Sequence, residues 1–209
     1  MSRHRVHIKR RSDRVWVEAS LVTELASSDL VSVEAEWSGE RSRIAQEVLQ
    51  AGVPEPNHPQ SLHWRWDSKA PWLGSLAVSG FGIKCEGQWQ GVMLTKTAPN
   101  LARLLHDKGK PLVYLDYIEV APWNWRIPEL GQSGRYGTVG RILFWQAVKQ
   151  SQDEGFHGRV GLHALPQAVS FYEQLGMKPL GPDPLKQDLP YFELSRQEAK
   201  RILTSGDQS

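Results

Sequence analysis

The sequence predicts an α/β domain built on a mixed sheet, and three observations predict it. A hairpin pattern spans Phe81 to Thr95, a strand feeds through a glycine-containing loop into a helix between Leu112 and Glu154, and strands then alternate with helices to Leu203. Alternation of this kind, preceded by a hairpin, implies a sheet with both parallel and antiparallel pairs. A chain of 209 residues is long enough for one sizeable core with an extension and does not demand a second full domain. The boundaries expected are an N-terminal elaboration packed on the core over 1–75, a core over 76–204 and a polar tail over 205–209.

The elements follow from local pattern. Alternating apolar residues predict strands over Arg14–Ser20 and Leu30–Trp37, whereas Ile44, Val48 and Leu49 give Glu40–Gln50 helical spacing, ended by Gly52 and Pro54. The stretch PEPNHPQ is rich in breakers and reads as loop. Phe81–Cys85 and Trp89–Thr95 flank a Glu86–Gly87 turn, and Gly91 lets its strand be approached closely. Asn100–His106 reads as a short helix and Leu112–Val120 as a strand, closed by Ala121–Pro122. Val139–Glu154 is a helix with Ile142, Leu143 and Ala147 on one side and Gly155 at its end. Arg159–Ala164 is a strand, Pro166–Leu175 a helix stopped by Gly176, Tyr191–Leu194 a strand and Arg196–Leu203 a final helix.

Composition narrows the function classes. Formal net charge is only +2, so a dedicated nucleic-acid binder is not indicated, and a small-molecule partner fits better. The basic run Arg3–Arg11 reads as a solvated strand face or a frayed end. A single cysteine, Cys85, excludes an internal disulfide and a cysteine-rich zinc site, so no metal is expected and the cytoplasm is the expected compartment. No apolar run approaches the roughly 20 residues that span a bilayer, so no membrane partner is expected. Nine tryptophans point to an aromatic-rich core, with Trp123 and Trp125 as candidate walls of a substrate pocket.

The segment Arg135-Tyr136-Gly137-Thr138-Val139-Gly140 sits between a strand and a helix. A helix start carries unpaired N–H groups and the positive end of the macrodipole, which together suit a diphosphate. Gly137 and Gly140 let the backbone approach such a ligand, and Arg135 and Arg141 add charge. A second motif follows the next strand: Ala168-Val169-Ser170-Phe171-Tyr172-Glu173-Gln174-Leu175-Gly176-Met177.

With these two segments in this order, the region Phe81–Leu194, about half the chain, resembles the GNAT superfamily of acetyl-CoA-dependent N-acetyltransferases. That family's signature is a strand, an R/Q-x-x-G-x-G/A turn, a helix, a strand and an A-x-x-x-Y-x-x-x-G-F helix. The resemblance implies a GNAT-like fold with an elaborated N-terminal part, acetyl-CoA as cosubstrate and a primary amine as acceptor, with a homodimer as a common assembly. It implies coenzyme contacts from Arg135 through Arg141 and from the strand backbone at Ile118 and Val120, and it makes Tyr172 the proton donor to the leaving sulfur. Glu119, just before Pro122, is the preferred base, with Asp116 its competitor; His163 receives no role.

Three departures stand out. Thr138 replaces the family's first motif glycine, and its hydroxyl is available for a phosphate oxygen. Leu165 stands where many members carry asparagine, and the twelve residues from Trp123 to Gly134 form an apparent insertion. Two other readings stay open: Thr138 and Leu165 suggest a catalytically silent acyl-CoA-binding sensor or scaffold, and the basic Arg3–Arg11 segment suggests an enzyme acting on a macromolecular amine, aminoacyl-tRNA or protein. Neither a G-x-S-x-G elbow, a phosphate-binding P-loop nor an H-E-x-x-H helix is present, so hydrolase, kinase and metalloprotease chemistry fall away.

Overall fold

The computed structural model describes residues 2–204, so the expected tail at 205–209 lies outside the described residues. The chain divides into two compact units: one runs to Met93 and adds Ile118–Leu143, and the other takes Leu94–Tyr117 and the chain from Phe144 on.

The first unit begins with β1 (Arg3–Arg10) and β2 (Trp16–Val22), antiparallel with Arg3 opposite Val22. The basic run is thus an ordered strand, with Ile8 buried and Arg3, Arg5 and His7 exposed. Next comes α1 (Ser27–Gln50), which corrects the expectation of a strand over Leu30–Trp37. Its buried residues, Leu30, Val33, Glu34, Trp37, Arg41, Ile44 and Val48, recur every three or four positions and so share one helix face. Val31, which completed the alternating pattern, is 52% exposed. At the helix start the Asp29 carboxylate accepts the Ala26 N–H at 2.8 Å, half of a capping box.

After the breaker-rich loop, β3 (Val78–Cys85) and β4 (Gln88–Lys96) form the expected hairpin, turning through Glu86 and Gly87 at positive φ. In this unit β3 pairs with β2, and the end of β5 (Val113–Val120) meets β4 where the Ala121 N–H donates to the Gln90 carbonyl. A short strand, β6 (Tyr136–Gly137), pairs with β1 through Arg10 and Lys9. It leads into α2 (Val139–Asp153), whose first residues belong to this unit.

In the second unit, β5 pairs in parallel with β7 (Val160–His163), Val113 opposite Val160. Then come α3 (Val169–Gln174), β8 (Lys178–Asp183), β9 (Leu189–Leu194) and α4 (Arg196–Thr204), with β9 antiparallel to both β7 and β8. Phe144, Ala147, Val148, Val160, Leu162, Phe192 and Leu194 fill its core. The helix expected over Asn100–His106 is absent. There the Arg103 and Leu104 N–H groups donate to the Glu193 carboxylate at 2.7 and 3.1 Å, and the chain folds as turns. A buried carboxylate has taken the donors that helical carbonyls would otherwise use.

Candidate functional site

In the first unit the start of α2 is packed hard against β4. A Cβ added to Gly91 would stand 2.6 Å from Val139 Cγ1, 3.1 Å from Leu143 Cδ1 and 3.3 Å from the Glu119 carbonyl oxygen. Only a hydrogen fits there, so Gly91 brings the first turn of α2 and the Glu119 end of β5 together.

The first helical hydrogen bond of α2 runs from the Ile142 N–H to the Thr138 carbonyl, which makes Thr138 the N-cap. A threonine there commonly turns its oxygen onto the N–H groups of the first turn. Here its hydroxyl donates instead to the Gly137 carbonyl at 2.6 Å and, among the described residues, receives only the Lys9 N–H, at 3.4 Å. The N–H groups of Val139, Gly140 and Arg141 are therefore left uncapped by Thr138. Thr138 has φ +66°, the left-handed region where a Cβ is disfavoured, which accounts for glycine as the usual residue. The hydroxyl expected to reach a phosphate oxygen is turned to the backbone instead, because that bond anchors the strained residue.

One guanidinium, that of Arg11, lies beside this turn, and Arg135 and Arg141 flank it in the chain. Arg135 is exposed, its guanidinium bonded to Gln88 and its carbonyl accepting the Arg11 N–H at 2.9 Å. The Arg11 guanidinium lies beside Gly137, 3.7 Å from where a Cβ would be, and burial together with the nearby charge of Arg126 lowers its pKa. Arg141 is half-buried. Sequence reasoning set Arg11 aside as part of a solvated strand; only the β1–β6 pairing reveals its neighbourhood. Tyr136 enters the turn through its backbone: its N–H donates to Asn124 Oδ1 and its hydroxyl donates to Glu86, and burial, with that bond second, raises its pKa to about 12.

The Trp123–Gly134 segment is a closed structure. Asn124 donates to the carbonyl and side chain of Gln90, Gln132 donates to Pro122 and Trp125, and the Arg135 N–H donates to the Trp123 carbonyl. Trp125 is buried with Ile44, Val48, Val53 and Ile127, its indole donating to the Val120 carbonyl. Trp123 is half-buried, donates to Gln90 Oε1 and meets the Trp37 ring edge-on. Ile118 is half-buried on the same strand end.

Glu119 is 4% exposed and belongs to a buried polar network. Its Oε2 accepts the Trp66 indole N–H at 2.5 Å and lies 3.4 Å from Arg41 Nη2, while Oε1 has no hydrogen-bond partner among the described residues. Arg41 Nη1 reaches both oxygens of Glu34 at 3.0 and 3.2 Å, and Glu34 Oε2 accepts the Trp66 backbone N–H at 2.8 Å. Burial pushes the Glu119 carboxyl up to about 6, against the opposing pull of Arg41, Ser61, Trp66 and Lys69. A carboxylate tuned in this way can accept a proton near neutral pH. Glu34 and Arg41 were missed from the sequence, although their place among the apolar residues of one helix face signals burial with a partner.

In the second unit, Tyr172 is 4% exposed, its ring against Phe144, Phe171 and Phe192. Burial raises its pKa, so the phenol stays protonated. Asp116 is paired with Lys96 at 2.6 Å, and His163 is fixed between the Tyr114 hydroxyl and Asp183 at 2.7 and 3.0 Å. Both behave as satisfied structural groups. In the first unit Cys85 is buried and its thiol is pushed up by that burial, which suits a chain without a cysteine nucleophile.

No family profile and no curated protein matches the sequence. Solved structures do. The PaiA N-acetyltransferase of Thermoplasma acidophilum, solved in complex with coenzyme A, is 16% identical with a TM-score of 0.50, the match covering 85% of this chain and 98% of that one. An acetyltransferase of the GNAT family from Listeria monocytogenes is 13% identical with a TM-score of 0.53, covering 90% of this chain and 99% of that one. The mixed sheet, the glycine-containing turn before α2 and these matches agree: the chain has the fold of the GNAT acetyltransferases.

Proposed function

We propose that this protein moves an acetyl group from acetyl-coenzyme A directly to a primary amine. The observation that carries the reading is the start of α2, where Thr138 leaves the first-turn N–H groups uncapped and the Arg11 guanidinium lies beside Gly137. Such a turn grips a diphosphate through its amides and the helix dipole. Gly137 gives the backbone its approach, and Arg11, Arg135 and Arg141 supply charge. The coenzyme brings an acetyl thioester, whose carbonyl carbon the amine nitrogen attacks; the new C–N bond replaces the C–S bond and the coenzyme leaves as a thiol. Glu119 takes the proton that the amine must lose, directly or through water. Tyr172 holds a phenolic proton that the resemblance assigns to the leaving sulfur. Trp123 is the tryptophan of the insertion suited to an acceptor wall, since Trp125 is committed to a core.

The test is release of coenzyme thiol from acetyl-coenzyme A in a panel of primary amines: small polyamines, amino acids, aminoacyl-tRNA and peptide N-termini. Acetylated product from at least one amine is expected. Binding of acetyl-coenzyme A without thiol release from any amine would favour a silent acyl-CoA binder.

A further inference from the structure

The buried network around Glu119 treats its two oxygens differently. Oε2 receives the Trp66 indole and Arg41 Nη2, and the Ser61 hydroxyl also acts on the carboxylate. Oε1 receives none among the described residues, although it is fully buried. The cause lies one residue away: Glu34 takes the Arg41 guanidinium with both of its oxygens and fixes the Trp66 backbone as well.

We propose that Glu34 is a positioning residue: by holding Arg41 and Trp66 from α1, it limits both to Oε2 of Glu119 and keeps Oε1 uncommitted, as the atom that takes the acceptor's proton. The use made of Oε1 rests on the acetyl-transfer reading; the division of Arg41 between two carboxylates does not. A guanidinium shared by two carboxylates stabilises each ionised form less than an undivided one does. The charged and polar groups facing Glu119 are Arg41 and Glu34 from α1 and Ser61, Trp66 and Lys69 from the segment before β3. Lys69 is itself held by the Arg65 carbonyl at 2.9 Å, and Glu36, further along α1, is taken by the Trp89 N–H.

The Trp66 indole N–H touches Oε2, so its resonance reports the protonation of Glu119. We would follow the indole N–H signals by NMR from pH 4.5 to 8 in the coenzyme-free protein. The wild type should show a Trp66 inflection that Glu119→Gln abolishes. In Glu34→Gln, Arg41 turns wholly to Glu119, and the inflection should fall by about one pH unit or more, the usual effect of an arginine beside a carboxylate. Arg41→Lys, which cannot reach both carboxylates, should move it upward. An inflection unchanged in Glu34→Gln, or a Trp66 signal that does not titrate in the wild type, overturns the proposal; if Glu34→Gln does not fold, a downward or absent shift in Arg41→Lys does so. Calorimetry with acetyl-coenzyme A on the same samples separates the two claims. Binding with no Glu34 effect sinks this inference alone, and a Glu34 effect without binding sinks the acetyl-transfer reading alone.

Discussion

Gly91 and Val139 compete for one space: a Cβ on the glycine would lie 2.6 Å from Cγ1 of the valine. The contact ties β4 to the first turn of α2. Gly91→Ala should therefore displace that turn. Val139 can shift but the Glu119 carbonyl, 3.3 Å away, is backbone, so a destabilisation of about 1–3 kcal/mol is expected, as for overpacked sites. Urea unfolding measures it, and affinity for acetyl-coenzyme A should drop with it. An alanine variant as stable and as tight-binding as the parent would show that the packing does not set the turn.

Thr138 bears the cost of a left-handed residue with a Cβ, roughly 1–2 kcal/mol, and its hydroxyl bond to Gly137 offsets part of that. Thr138→Gly should keep stability within about 1 kcal/mol, because relief of strain opposes the lost bond and the added chain freedom. Thr138→Val keeps the strain and loses the bond, so it should be the least stable of the three. Thermal unfolding ranks them, and a valine variant equal to the parent would contradict the role given to the hydroxyl.

These two positions also show what the sequence could reveal. The hairpin and the ends of the helices that follow were legible because glycine at Gly87, Gly155 and Gly176 marks positive φ where chain direction changes, and the turn before α2 was legible through Gly137 and Gly140. At Leu30–Trp37, in the N-terminal third, the alternation of apolar residues points to a strand where the chain is helical. Helical burial of Leu30, Val33 and Trp37 prevailed because their spacing continues through Arg41, Ile44 and Val48. Charged residues at Glu34 and Arg41 hid that continuation, since a buried ion pair looks polar in one dimension. Arg11 was illegible as a neighbour of Gly137, since the two are joined only by the long-range pairing of β1 with β6. The glycine-containing turn before α2 was legible as a motif, but the orientation of the Thr138 hydroxyl was not.

Glu119 sets a pH dependence whose sign can be worked out. Its folded-state pKa, about 6, lies above the ordinary 4.5, so the folded state binds the proton more tightly than the unfolded state. This group therefore stabilises the fold at pH below about 4.5 relative to pH above 6, by about 2 kcal/mol, and that contribution is lost as pH rises between them. The stability difference between the parent and Glu119→Gln should shift toward the variant across this window. A difference that stays constant from pH 4.5 to 7 in urea unfolding would contradict the raised pKa.

Tyr172→Phe keeps the ring among Phe144, Phe171 and Phe192 and removes only the hydroxyl. With an active amine in hand, turnover should fall by about a hundredfold or more, the scale of a lost general acid, while coenzyme affinity stays within a few-fold. Steady-state rates set against calorimetric affinity decide it; equal losses in both would make the tyrosine a packing residue.

The most direct measurement is calorimetric titration of acetyl-coenzyme A into the purified protein, with Arg11→Ala alongside. The account predicts one-to-one binding in the micromolar range, weakened several-fold in Arg11→Ala and opposed by inorganic pyrophosphate at millimolar concentration. No binding heat at high micromolar coenzyme, with the protein folded, would contradict the claim that the amides at the start of α2 grip a diphosphate.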